Sequence, residues 1–202
     1  METKINLEDK KLVIFELDDV LFPAKDYVLQ VYYLFAQFIE YTEQKNAHDI
    51  LNFMRQYYDQ NGAEGVFDDT AKQFELADTY KSNFELLHKT ARLPLKLLLF
   101  NNVLQFLQDL VTKDIKIYIV TAGDVEQQFN KIKQVEWNGL EQNLIVYFSD
   151  ELNKSKSEIY QSILNTNKIA NNEALLIAAN ILDEEQAKLI NLPYIGAKEM
   201  YS

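Results

Sequence analysis

The chain has 202 residues, 48% of them hydrophobic and 25% charged, which suits a folded globular protein with ample core material and excludes a disordered chain. Its 20 Lys and Arg stand against 31 Asp and Glu, and the net charge of -11 repels nucleic-acid phosphates and anionic membrane surfaces, so no nucleic acid and no membrane is expected as a partner. The absence of cysteine removes disulfides, thiolate nucleophiles and thiolate metal sites, and the opening METKINLEDKK has no secretory-type apolar stretch, which makes a cytoplasmic protein the expectation.

In chain order, residues 12 to 16 are apolar and β-branched or aromatic up to Glu16, too short for a helix, and predict a buried strand. From about Asp26 to Leu97 the periodicity becomes helical, with Val28, Val31, Leu34, Phe35, Phe38 and Ile39 on one stripe. No strand-like segment interrupts this stretch, and its only loop signal is NGAEG at 61 to 65. A short helix after Pro94 leads to the strand IKIYIVTAG at 115 to 123. Two further helix-then-strand units end in LIVYFSD at 144 to 150 and EALLIAAN at 173 to 180, and a last helix, DEEQAKLIN, runs into LPYIGA. Strands alternating with helices predict an α/β fold with a mainly parallel, Rossmann-like sheet and helices on both faces.

Ligands of such sheets bind outside the carboxyl ends of the strands. The residues there are Glu16, Asp18 and Asp19, then Thr121 to Asp124, then Asp150 to Lys156, then Ala178 to Asp183. An acid pair, a hydroxyl, a lysine and further acids at one edge form the set that Mg²⁺-assisted phosphoryl transfer uses. One carboxylate attacks phosphorus, another handles the leaving-group proton, a hydroxyl and an ammonium hold the phosphoryl oxygens, and acids hold the metal. Any one of these residues is ordinarily a solvated turn or a helix cap; their order and spacing carry the information.

VIFELDDVL, IVTAG, KSKSEIY and LLIAANILDEEQAK together resemble the four motifs of the haloacid dehalogenase superfamily, in its phosphatase-like branch with a helical cap inserted after the first strand. The resemblance spans nearly the whole chain and implies a core domain of residues 1–23 and 98–202 and a cap of residues 24–97. By that resemblance Asp18 is the general acid/base, Thr121 and Ala122 belong to the phosphate-binding motif, and Lys154 is the phosphate-binding lysine, with Lys156 as the alternative. Glu16, Asp18 and Asp183 are the implied Mg²⁺ ligands, and a small phosphorylated molecule is the implied partner; no oligomeric state follows.

Two positions depart from the family pattern. Glu16 stands in place of the nucleophilic Asp, and its extra methylene displaces the attacking oxygen by about 1 Å, a misplacement that can cost on the order of 10²-fold. Ala179, or Ala178 with a one-residue shift, replaces a metal-binding Asp. Asp183, Glu184 and Glu185 offer other carboxylates, although acids at a helix start are equally explained by the helix dipole. The expectation is a phosphomonoesterase-like protein with weak or absent activity, or a catalytically inactive relative that binds a phosphorylated ligand or a protein. Dehalogenation also needs the nucleophilic Asp and is not expected. His48 and His88 lack metal-ligand spacing and are assigned to packing or the surface, and Tyr27, near Pro23, is a candidate for the site entrance.

Overall fold

A computed structural model of the chain describes residues 5–200. The polypeptide forms two compact units. One holds the chain through Pro23, Leu98–Gln128 and everything from Val135 onward; the other holds Ala24–Leu97 and Phe129–Gln134.

The first unit is an α/β layer structure. Its strands are β1 (Leu12–Phe15), β3 (Lys116–Thr121), β5 (Leu144–Phe148), β6 (Ala174–Ala178) and β7 (Tyr194–Gly196), while β2 (Leu97–Leu98) and β4 (Val135–Glu136) form a separate two-stranded sheet. The main sheet is parallel in the order β5-β3-β1-β6-β7. β1 is central, which explains why all four of its residues are apolar and buried: a parallel strand covered on both faces has no solvent side. The chain builds outward from β1 on one side and then crosses to β6 on the other, so the strand order reverses between β1 and β6, where ligand crevices form in open sheets.

One sheet face is covered by α8 (Lys156–Asn167) and α9 (Ile181–Leu189). Leu12 and Ile14 of β1, Tyr118 and Val120 of β3, and Leu176 and Ala178 of β6 pack there with Ile159, Tyr160, Ile163 and Leu164 of α8. The period of two along a strand puts Glu16 on this same side, one step beyond Ile14. On the opposite side the Phe15 ring meets Phe106 of α5 (Asn101–Thr112) edge to face.

The second unit is helical: α1 (Ala24–Glu43), α2 (Ala47–Asn61), α3 (Val66–Phe74) and α4 (Tyr80–Thr90). α1 buries Tyr27, Val28, Val31, Tyr32, Phe35, Ala36 and Ile39, a stripe with helical spacing. Tyr27 is wholly buried inside this unit: its hydroxyl donates to the His88 carbonyl and the Lys131 ammonium lies over its ring. The sequence had made it a candidate for the site entrance; its environment is that of a core residue. His88 packs against Tyr27, Tyr32 and Phe84, and His48 is exposed beside Asn52, as expected of packing and surface residues.

Several boundaries differ from the sequence expectation. Helices α1 and α3 end without a glycine, through Gln44 and Glu75 in the left-handed region (φ 55° and 51°), so those breaks carry no glycine or proline signal. The segment read as strand to residue 150 stops at Phe148, because Ser149–Leu152 make a helical turn, α7. The helical stretch running to Leu97 ends in the short strand β2. The last long helix, α9, begins at Ile181 because Asn180 caps it. Helices α6 (Val125–Gln134) and α10 (Ala197–Met200) complete the chain. Among the described residues no helix is long and apolar enough to cross a membrane.

Candidate functional site

Glu16 is the first residue past β1, and its backbone N–H donates to the Ile177 carbonyl at 3.0 Å, which ties it to β6. Its side chain is 12% exposed, and the carboxylate lies 3.9 Å from the Lys156 ammonium. Lys156 opens α8, and that helix start is fixed by a capping box: the Ser155 hydroxyl accepts from the Glu158 N–H while the Glu158 carboxylate accepts from the Ser155 N–H. Hydrogen bonding to Ser155 also holds the Glu158 carboxyl below its ordinary range.

Lys156 donates at 2.6 Å to Oδ1 of Asp183, whose side chain is 2% exposed. The same oxygen accepts from the Tyr160 hydroxyl at 3.4 Å, and Oδ2 accepts from the Asn180 side-chain amide at 2.7 Å. Burial first, then the Asp183 charge, pushes the Tyr160 phenol above its ordinary range, so it stays a neutral donor. Asn180 is also the N-cap of α9, its side-chain oxygen accepting from the Asp183 N–H at 2.9 Å. Glu16, Lys156, Tyr160, Asn180 and Asp183 therefore form one linked polar cluster at the ends of β1 and β6.

The remaining positions lie on the same edge. Asp18 follows in a tight loop closed by the Asp19 N–H to the Phe22 carbonyl at 3.0 Å, with Asp19 at a φ of 57°. Asp18 Oδ2 accepts from the Gln128 amide at 3.4 Å. Thr121 ends β3, the neighbour of β1, and is 1% exposed; its hydroxyl oxygen has no hydrogen-bond partner among the described residues. Ala122 is exposed, and the Gly123 N–H donates to Asp150 Oδ2 at 3.0 Å. Gly123 sits at a φ of 104°, a conformation a side chain rarely adopts, so the turn after Thr121 depends on glycine.

Sequence order favoured Lys154 over Lys156. In the structure Lys154 is exposed in the link before α8, whereas Lys156, on the first turn of the capped helix, reaches the acids. Ala178 is buried within β6, and Ala179, one step beyond, is exposed with only a methyl group to offer. The sequence reading missed Tyr160, Asn180 and Gln128. Tyr160 lies one helical turn past Lys156, and Asn180 lies three residues before Asp183 in a capping spacing, so both carried a readable signal; Gln128 carried none.

The profile of the haloacid dehalogenase-like hydrolases matches residues 13–197. The chain belongs to that family. Among solved structures it is similar to a hydrolase from Streptococcus pneumoniae TIGR4, at 14% identity and a TM-score of 0.58 over 93% of this chain and 92% of the other. It is similar also to an L-2-haloacid dehalogenase, at 14% and 0.57 over 92% and 82%, and to a haloacid dehalogenase-like family hydrolase from Xanthomonas campestris, at 15% and 0.54 over 93% and 81%. At these identities the likeness is one of fold. No curated protein matches the sequence.

Members of the family commonly use Mg²⁺. With Lys156 held between Glu16 and Asp183, the residues here do not fit that ion. Among the described residues no group of three His, Cys, Asp or Glu side chains is arranged to hold a metal, Ala179 has no donor, and both Asp183 oxygens already accept from Lys156, Tyr160 and Asn180. Mg²⁺ requires near-octahedral oxygen ligation anchored by one or two free carboxylates.

Proposed function

We propose that this protein is a cytoplasmic relative of the phosphomonoesterase branch of its family, which binds a small phosphorylated molecule at the strand ends and hydrolyses it weakly or not at all. The observation that carries the reading is Glu16: the acid after β1 is one methylene longer than the chemistry calls for, and it faces Lys156. An attacking carboxylate there would form a bond to phosphorus as the bond to the leaving alcohol breaks, with Asp18 giving that alcohol its proton; water would then release phosphate. Displacing the attacking oxygen by about 1 Å penalises the first of these steps on the order of 10²-fold.

Binding is supported by Thr121. A buried hydroxyl without a partner is costly unless a ligand supplies one, and a phosphoryl oxygen can accept from it. The helical unit is assigned the role of a substrate-selecting cap. Glu16 and Asp18 repel a phosphate dianion, and Lys156 is shared with Asp183, so the expected affinity is weak.

The test is phosphate release from a panel of sugar phosphates and nucleoside monophosphates with Mg²⁺, comparing the native protein with a Glu16→Asp, Ala179→Asp double variant. Activity only in the double variant, whose added carboxylate at position 179 gives a cation a ligand that Lys156 does not already hold, is the expected result. Native turnover above an Asp18→Ala control would make Glu16 a working nucleophile and overturn the reading.

A further inference from the structure

We infer that Lys156 closes the strand-end carboxylates to divalent cations, so that the protein supplies its own counter-ion and binds no Mg²⁺ at this site. One ammonium stands 2.6 Å from Asp183 and 3.9 Å from Glu16, and its side chain is only 13% exposed. A metal ion drawn to these two carboxylates would have to displace that ammonium. The displaced ammonium has little freedom to leave, because the capping box of Ser155 and Glu158 fixes the helix start that carries it.

Asp183 is closed from its other sides as well. The Asn180 amide donates to Oδ2 at 2.7 Å and the Tyr160 hydroxyl to Oδ1 at 3.4 Å, while Asn180 is itself held by capping α9. Coordination would break a buried ion pair and these hydrogen bonds together. The return would be small, since Mg²⁺ sheds its own water reluctantly and Ala179 adds no ligand. The ion pair thus does more than compensate a buried acid: it occupies the place a cation would take.

The inference rests on the reading of the strand ends as the family's site, but its test uses Mg²⁺ alone, so it fails or stands separately from phosphate binding. Melting temperatures of the native protein and of Lys156→Gln are recorded in MgCl₂ and in NaCl at matched ionic strength. The native protein should melt at the same temperature in both, while Lys156→Gln, with the ammonium gone from between Glu16 and Asp183 and only the weaker neutral hydrogen bonds of Asn180 and Tyr160 left to displace, should gain a saturable Mg²⁺-dependent rise of about several degrees. A saturable rise in the native protein that Asp183→Asn removes overturns the inference. So does a folded Lys156→Gln protein with no rise, which would leave the missing carboxylate at Ala179 as a sufficient cause. Should Lys156→Gln fail to fold, electron paramagnetic resonance of Mn²⁺ added to the native protein decides: a free-ion spectrum supports the inference, and loss of that signal at one equivalent, restored by Asp183→Asn, overturns it.

Discussion

At the ends of β1 and β6 both oxygens of the Asp183 carboxylate have partners from within the chain, whereas at the end of β3, on the same sheet edge, the Thr121 hydroxyl is buried with none among the described residues. The first side is built from charges, and a charge removed from water must be matched, as Asp183 is by Lys156, Tyr160 and Asn180. The second side is built from a neutral hydroxyl and backbone, for which an unmet hydrogen bond costs less than an unmatched charge and can persist until a ligand arrives. One sheet edge therefore carries both a carboxylate matched from within the chain and a buried hydroxyl with no partner among the described residues.

Breaking the closed side should have the largest effect. Asp183→Ala leaves Lys156 with only the more distant Glu16, and urea denaturation should show a loss of about 3 kcal/mol, toward the lower end for breaking a buried pair. Little or no loss would show that the cluster is not the structural element described.

The helical unit contributes an acid sensitivity that must be separated from that of the site. Burial, then the Lys131 charge, lowers His88 from its ordinary 6.5 to about 4. Between those values the unfolded chain holds a proton that the folded one does not, so stability is full above pH 6.5 and falls as the pH drops toward 4. The loss is at most about 3 kcal/mol, and His88→Leu should flatten the slope in melts run from pH 7 to 4. An unchanged slope would assign the acid loss to carboxylates instead.

Ser155→Ala removes the hydroxyl half of the capping box and should cost about 1 kcal/mol by urea denaturation. Because that cap fixes Lys156, the loss should be smaller in a Lys156→Gln background; equal losses would uncouple the helix start from the ion pair. On the open side, Thr121→Val should change stability least, within about 1 kcal/mol and toward stabilisation, since it deletes a buried hydroxyl that has no partner among the described residues. A large loss would mean that the hydroxyl is already engaged.

The sheet was readable because its strands are continuous apolar runs bounded by polar turns, and the placement of Glu16, Asp18, Thr121 and Asp183 along one edge was readable because a parallel sheet gathers its strand ends. The choice between Lys154 and Lys156 was not readable. It depends on where α8 starts, and therefore on a cap formed by Ser155 and Glu158 that shifts the reaching lysine by two positions. Nor were the ends of α1 and α3, where Gln44 and Glu75 adopt a conformation that favours glycine. The closure of Asp183 was half legible: Asn180 and Tyr160 stand at helical spacings from their partners, but only the packing of α8 beside α9 on one sheet face brings the two helix starts together.

The most direct test of the account is the melting temperature of the native and Thr121→Val proteins in inorganic phosphate, without any divalent cation and at ionic strength matched with NaCl. The account predicts a saturable rise in the native protein that Thr121→Val abolishes. No rise in the native protein, or an equal rise in both, would contradict the claim that this closed, metal-free edge still receives a phosphoryl group.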